Sequence, residues 1–532
     1  LLKVSLVIYW VENETMPEKS LENEIRVRFA PAPTGFLHIG GAKTALFNYL
    51  FAKKNKGSFI LRIEDTDFAK SNPRFEKEIL DSLKWLGIEW SEGPYRQSER
   101  LDIYAKYLEE LLKEEKAYHC FCSEEELEAQ RQYRMSIGQP PLYDGKCRQL
   151  TGKETKKYLA EGKKSVIRFK VPVKKIVFQD LIRGQIEFDS GLIGDFIIAK
   201  DLSHPLYNFV VVVDDYEMKI TYIIRGEDLL PNTPKQILLQ GALNFSQPKY
   251  VHLPLILGPD RAKLSKRHGA VAVTEYRKEG YLPETLVNFM AFLGWNPGIE
   301  REIYSMQSLI KEFSLEKCQK GGAIFNIKRL DFLNGFYIRQ KSIERLTKIC
   351  LPYLIEAGFI KALKNNPGNP GSPDNPEKLK LFEEKKPKYK IKETGEIIEL
   401  NYLEKIIAIY QERLKKISEI VDFTSFFFKD KLEYQKGLLR WKEASDKEIR
   451  KSLDKLEKII SKIKTEDWDK ENLEKQIMPE AEKAGDRGYM LWPFRVALTG
   501  KEASASPFEI AEVLGKEKTL KRIIRAHNIL CA

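Results

Sequence analysis

Residues 28–41 read Arg28-Phe-Ala-Pro-Ala-Pro-Thr-Gly-Phe-Leu-His38-Ile-Gly40-Gly41. Ile25 to Ala30 reads as a β run, and Pro31 to Gly35 breaks it. Ala42, Leu46, Phe47, Leu50 and Phe51 then recur at helical spacing until Gly57. Strand, glycine-bearing turn and helix in this order open an α/β unit. Glycines at such a turn let backbone approach a ligand, and the helix N-terminus offers unpaired N–H groups to phosphate. His38 beside them can donate a hydrogen bond to a phosphate oxygen. An ordinary Pro/Gly turn has the same composition, so the stretch points to a nucleotide site without establishing one.

Working outward, Phe59 to Ile63 predicts a second strand. Two helices follow, one with Phe75, Ile79, Leu83 and Leu86 on a face and one after Ser98 with Leu101, Tyr104, Leu108 and Leu111. Alternating strands and helices indicate a parallel sheet. Between about 117 and 200 the texture changes to short β runs, Val166 to Val171, Gln185 to Phe188 and Asp195 to Ala199, which predicts an insertion. Sheet texture resumes with expected strands at Phe209 to Val213, Ile220 to Ile224 and Val251 to Leu257, and with a helix from Thr233-Pro234 through Leu243. Beyond about 270 the pattern is nearly all helical. Asn365 to Pro376 interrupts it, and the segment 365–395 is expected to be an exposed, solvated insert.

The chain has 532 residues, 42% hydrophobic and 31% charged, which suits several packed domains and excludes a disordered chain. Its formal charge of +12 favours a polyanionic partner. The excess is diffuse, because residues 361–532 carry 36 basic and 30 acidic side chains, or half of it. Six cysteines do not make a disulfide framework, and the grouping of Cys120, Cys122 and Cys147 suits a reducing compartment or a metal. No apolar run approaches the roughly 18 residues needed to cross a bilayer. Residues 1–15, ahead of Met16, are expected to be an upstream extension or a start-site artefact.

A second motif is Lys263-Leu-Ser-Lys266-Arg267-His-Gly. Two ammonium groups and a guanidinium on a loop suit a phosphoryl group that gains charge as pyrophosphate leaves. Alone it reads as a solvated basic loop. Together, and in this order, the two motifs resemble the His-Ile-Gly-His and Lys-Met-Ser-Lys-Ser signatures of class I aminoacyl-tRNA synthetases. The wording is similar to the bacterial-type glutamyl-tRNA synthetase family. Phe59-Ile-Leu-Arg-Ile-Glu-Asp-Thr-Asp67, Gly93-Pro-Tyr-Arg-Gln-Ser-Glu-Arg100, Val212-Val-Asp-Asp215 and Ile224-Arg-Gly-Glu-Asp228 extend the match. Leu498-Thr-Gly500, Ser506-Pro507 and Leu514-Gly515-Lys516-Glu517 carry it towards the end.

The resemblance implies ATP-dependent glutamylation of tRNA(Glu), with L-glutamate and ATP as substrates, Mg²⁺ as cofactor, and a monomer in the cytoplasm without membrane attachment. It implies a split Rossmann-like parallel sheet with an inserted acceptor-binding domain, followed by all-α stem-contact and anticodon-binding domains. The expected limits are an extension 1–23, catalytic halves 24–116 and 204–258, and an insert 117–203. A signature-loop and stem-contact domain at 259–335 and helical subdomains at 336–430 and 431–532 complete the chain. His38, Lys263 and Lys266 become catalytic. Gly40, Gly41, Asp228, Ser265 and Arg267 join them around ATP. Glu64 would take the α-ammonium of glutamate, Arg28 and Arg225 its carboxylates, while Ala30, Ala32 and Tyr207 line the pocket. The choice of arginine agrees with elementary chemistry, since a guanidinium fork matches a carboxylate.

For zinc, the implied ligands are Cys120, Cys122, Cys147 and Tyr143, because Gln149 stands where some family members place a completing histidine. The family's frequent serine is Ala32 here, which implies one contact fewer to the substrate's polar end, and its threonine before the pocket tyrosine is Leu206. Arg413 falls near a position that accompanies anticodon discrimination, and charging of tRNA(Gln) as well as tRNA(Glu) stays open. A short relative that modifies a tRNA base is excluded by the roughly 200 residues beyond Leu330. Other nucleotidyltransferases lack the glutamate-pocket residues, and an RNA-binding module without catalysis would carry damaged signatures.

Overall fold

A computed structural model describes residues 24–265, 267, 272–363 and 387–531. The expected catalytic Lys266, the extension 1–23 and most of the 365–395 insert lie outside the described residues. The chain divides into two compact units, one of residues 1–268 and 290–325 and one of residues 269–289 and 326–532.

In the first unit, β1 (Arg26–Phe29), β2 (Ser58–Ile63) and β3 (Glu92–Arg96) pair in parallel. Helix α1 (Ile39–Lys54) links β1 to β2, α2 (Pro73–Trp85) links β2 to β3, and α3 (Leu101–Lys113) follows. α1 is buried almost throughout, without a break from Ala45 to Ala52, so its apolar residues are not confined to one stripe.

The segment that follows places β4 (Ala117–Cys120), β5 (Val166–Phe169) and, later, β8 (Ile197–Ala199) in a three-stranded antiparallel sheet. Helices α4 (Glu124–Ser136) and α5 (Gly152–Ala160) begin at capping boxes built by Ser123 with Glu126 and Thr151 with Glu154. Between β5 and β8 runs a hairpin, β6 (Lys175–Asp180) and β7 (Gly184–Asp189). This hairpin joins a second sheet, because β6 pairs with β10 (Lys249–Leu253), which pairs in parallel with β9 (Tyr222–Gly226). Helix α7 (Thr233–Ala242) crosses from β9 to β10.

The two sheets meet edge to edge. The Arg26 N–H donates to Thr221 Oγ1 at 2.8 Å, and the Thr221 N–H donates back to the Arg26 carbonyl at 2.9 Å. The sheet therefore runs β3-β2-β1-β9-β10-β6-β7, and the order reverses between β1 and β9. Ligands of an open α/β sheet bind at such a reversal, outside the carboxyl ends of the strands.

Two expectations are corrected. Phe209 to Val213 is not a strand; it lies inside helix α6 (Tyr207–Glu217). Every residue from Phe209 to Asp215 is buried, so the run carries no polar stripe to betray its period, and burial outweighs the small helix penalty of valine. The expected strand Val251 to Leu257 is broken at Pro254, leaving β10 and a two-residue β11 (Ile256–Leu257) that pairs with β12 (Ala323–Ile324). Proline cannot donate to a ladder.

The second unit is mainly helical. The helix Asp446–Lys462 buries Ile449, Leu453, Leu456 and Ile460, one per turn, and Ser445 with Glu448 caps its start. The expectation of an all-helical region is refined by an antiparallel sheet of β13 (Ile360–Ala362), β14 (Lys388–Ile391) and β15 (Ile397–Glu399). β14 falls within the insert expected to be solvated, yet Tyr389 and Ile391 alternate inward to the core. Among the described residues no helix is long and apolar enough to cross a membrane.

Candidate functional site

At the seam between β1 and β9 three arginines and two carboxylates converge. Arg28 on β1 is buried and presents Nε and Nη2 to the two carboxylate oxygens of Asp215, at 3.0 and 3.3 Å. Arg62 on β2 is fully buried; it donates to Asp215 at 2.8 Å and to Glu64 at 3.2 Å. Burial alone would raise the Asp215 carboxyl, but Arg28 and Arg62 hold it below its ordinary value. For Glu64 burial prevails over the same arginines, and its carboxyl is raised. The Glu64 N–H donates to the Pro31 carbonyl at 2.9 Å, which ties the end of β2 to the Pro/Gly turn.

Arg225 on β9 differs from the other two. It is buried, its Nε donates to His252 Nε2 at 3.1 Å and its Nη2 to Thr233 Oγ1 at 2.7 Å, while Nη1 is buried without a protein partner. Tyr207, at the first turn of α6, is pushed up to about 12 by burial and by Glu64, with Arg225 and Arg28 acting the other way. The expected pocket residues Arg28, Glu64, Tyr207 and Arg225 are thus brought together. Ala30 is half-buried and Ala32 exposed on the turn, and neither offers a polar side chain.

Sequence reasoning did not single out Arg62, Asp215, Asp180, Thr233 and His252 as site residues. An arginine inside an apolar strand and an Asp pair closing a valine run were the available signals for the first two.

The second cluster surrounds the start of α1. His38 is its N-cap, and its Nδ1 accepts the Gly41 N–H at 3.1 Å. Nε2 is then left to donate outward. The surrounding protein lowers the His38 pKa, Lys263 lowers it further, and Asp228 opposes them. A Cβ on Gly40 would stand 3.0 Å from His38 Nδ1, so glycine leaves the imidazole its place. Lys263 Nζ lies 2.9 Å from Asp228 Oδ2, and Arg267 Nη2 lies 3.0 Å from Asp260 Oδ2. Both loop cations are exposed, and Ser265 lies between them in sequence. Beneath the loop, buried Lys43 of α1 donates to the Pro254 carbonyl at 2.5 Å, and burial brings its ammonium down to about 8.

The third cluster lies at the end of β4. Cys122 and Cys147 sulfurs are 3.6 Å apart, and the Tyr143 hydroxyl is 3.6 Å from the sulfurs of both Cys120 and Cys122. The edge of a tetrahedron drawn with Zn–S bonds of about 2.3 Å is about 3.8 Å, so the Cys122–Cys147 separation suits two zinc-bound thiolates, with the Cys120 sulfur within 4.8 Å of both and the Tyr143 oxygen as fourth donor. Arg413, in the second unit, donates to the Ser504 carbonyl at 2.9 Å, and its charge helps burial to lower the neighbouring Arg495.

Residues 24–332 match the family of class I tRNA synthetases (E and Q), catalytic domain, and residues 378–527 match the anticodon binding domain family. A glutamate–tRNA ligase of Carboxydothermus hydrogenoformans is 44% identical over 95% of this chain and 100% of its own length. One from Caldicellulosiruptor saccharolyticus is 46% identical over 94% and 98%. The crystal structure of a glutamate tRNA ligase from Elizabethkingia meningosepticum in complex with its amino acid superposes with a TM-score of 0.79. It is 33% identical and covers 95% of this chain and 99% of that one. With both domains matched and relatives aligned along nearly their full lengths, the chain belongs to the class I tRNA synthetases of the glutamate and glutamine type, among the glutamate–tRNA ligases.

Proposed function

We propose that the chain activates L-glutamate with ATP and transfers the glutamyl group to the 3′ adenosine of tRNA(Glu), releasing AMP and pyrophosphate. The observation that carries the substrate is Arg225, a buried guanidinium with a bare Nη1 in a pocket that also holds Arg28, Glu64 and Tyr207. A dicarboxylic amino acid supplies the anion that Arg225 lacks. Glu64 takes the α-ammonium, whose positive charge opposes the effect of burial on its carboxyl, and Arg28 takes a carboxylate while sharing Asp215.

In the first step the glutamate α-carboxylate attacks the α-phosphorus of ATP in line and the bond to pyrophosphate breaks. In the second, the terminal adenosine hydroxyl of tRNA attacks the glutamyl carbonyl and AMP leaves. No protein nucleophile is needed, so the residues position groups and stabilise charge. His38 Nε2 donates to a phosphate oxygen at the N-terminus of α1, where the Gly40 and Gly41 backbone approaches the nucleotide. Lys263, Lys266 and Arg267 neutralise the departing pyrophosphate and the Ser265 hydroxyl donates to it, with Asp228 holding Lys263 beforehand. Mg²⁺ bound with ATP would add charge neutralisation on its triphosphate, beside Lys263 and Arg267.

Zinc bound by Cys120, Cys122, Cys147 and Tyr143 would pin the end of β4 to the loop before α5 and shape the segment assigned to the acceptor end. The limits 24–116 and 204–258 for the catalytic halves, 117–203 for the insert and 259–335 for the stem-contact domain follow the same reading. The helical subdomains at 336–430 and 431–532, with Arg413, would read the anticodon. Six free thiols suit a cytoplasmic enzyme. The test is aminoacylation of purified tRNA(Glu) with labelled glutamate, together with glutamate-dependent pyrophosphate exchange; absence of both overturns the proposal.

A further inference from the structure

Behind the substrate arginine lies a chain of buried polar groups that no pocket contact requires. Asp180, at the end of β6, is fully buried, and His252, on β10, is fully buried beside it. His252 Nδ1 is 2.7 Å from Asp180 Oδ2. Asp180 also accepts the backbone N–H groups of Ile182, Arg183 and His252, at 3.0, 2.8 and 3.1 Å. These donors and the imidazole hold Asp180 below its ordinary carboxyl value against the pull of burial. A carboxylate only accepts and a guanidinium only donates, so Nδ1 carries the imidazole proton and Nε2 is the lone-pair acceptor. That acceptor faces Arg225 Nε at 3.1 Å, and Thr233 Oγ1 lies 3.2 Å from it. Thr233 in turn receives Arg225 Nη2 at 2.7 Å.

Arg28 and Arg62 are oriented by carboxylates. Arg225 has no ion pair among the described residues; neutral acceptors hold two of its nitrogens and leave Nη1 bare. A carboxylate in place of His252 would neutralise the guanidinium before substrate arrived. A neutral histidine fixes the plane of the group and leaves its charge unspent. We propose that Asp180, His252 and Thr233 are positioning residues that set the plane of Arg225 and thereby the enzyme's affinity for glutamate and its preference for it over uncharged analogues. The relay begins on the β6–β7 hairpin, so the segment inserted between the sheet halves contributes to amino-acid selection as well as to its own sheet. This inference rests on the reading that Arg225 binds a substrate carboxylate.

The alternative is that Asp180 and His252 only fasten the hairpin to β10. Glutamate-dependent and glutamine-dependent pyrophosphate exchange of the full chain separates the two. His252→Leu removes the acceptor; His252→Gln returns an oxygen near the place of Nε2; Thr233→Val removes the other anchor without touching Asp180. Loss of a hydrogen bond to a charged group predicts a rise of about tenfold or more in the glutamate KM of His252→Leu, with the ATP KM unchanged. A smaller rise in Thr233→Val, substantial recovery in His252→Gln and a narrowed preference over glutamine complete the expected result. An unchanged glutamate KM in Thr233→Val or in folded His252→Leu, while Arg225→Ala loses about a hundredfold, overturns the relay and leaves the carboxylate reading standing. An unchanged glutamate KM in Arg225→Ala overturns the carboxylate reading itself.

Discussion

Arg28 and Asp215 face each other as a two-point pair across the seam, one from the first strand and one from a helix 187 positions on. Asp215 also serves Arg62, so one carboxylate neutralises two guanidinium groups that burial would otherwise penalise. Asp215→Asn keeps the shape and removes the charge. It is expected to destabilise the chain by about 3 kcal/mol in denaturant unfolding and to raise the glutamate KM.

The same pair sets an acid limb. The folded pKa of Asp215 lies below its unfolded value near 3.8, so its contribution is fully present above that value. It is lost as pH falls through the lower, folded pKa. Unfolding of the wild type and of Asp215→Asn followed from pH 6 down to about pH 2 should show the difference between them shrinking only at the acid end. A difference that persists unchanged to the lowest pH would contradict the charge pairing.

His38 has two duties that substitution can separate. Its Nδ1 caps α1, while its Nε2 is left for phosphate. Asparagine is among the best N-caps, so His38→Asn should keep thermal stability near that of the wild type. Pyrophosphate exchange should fall by about 10² to 10³, as for a lost oxyanion donor. Unimpaired exchange in that variant would remove His38 from the chemistry.

Lys263 and Asp228 are both exposed, so their ion pair adds no more than about 1 kcal/mol to stability. Lys263→Met should therefore melt like the wild type while losing on the order of 10² in the activation rate. A large loss of stability with little loss of rate would reverse the assignment.

Zinc should be found at one atom per chain by elemental analysis, and Cys147→Ser should lower it. Chelation should weaken tRNA binding and leave glutamate-dependent pyrophosphate exchange largely intact, because the cysteines lie on the segment assigned to the acceptor end. Full-length protein free of metal and fully active with tRNA would make the cluster a set of reduced structural thiols.

Arg413 tests the choice of tRNA. Arg413→Ala should alter the ratio of tRNA(Gln) to tRNA(Glu) charging without changing pyrophosphate exchange; an unchanged ratio would take the residue out of anticodon recognition.

The elements nearest residues 28–41 were legible because strand, turn and helix carry separate signals: alternation, proline with glycine, and a 3.6-residue period. β1 and α1 form where those signals stand, although α1 is buried on nearly every side. α6 was not legible, since a run of valines buried on every side has no period to read. The sheet at β13 to β15 hid behind a polar segment, because its inward residues Ile360, Tyr389, Ile391 and Ile398 are few and spread over three short strands. Arg28, Glu64 and Arg225 stood out through motif resemblance. The Asp180–His252 pair could not, because its meaning depends on β6 lying beside β10, a pairing between positions 72 apart that no local pattern encodes.

The stitch between Arg26 and Thr221 joins positions 195 apart. While the chain is being made, β1 can gain β2 and β3 early, but its other edge stays bare until β9 has emerged. An unpaired strand edge invites pairing with another chain. Nascent copies on one messenger would be vulnerable to one another during that interval, and chaperone holding would matter most there.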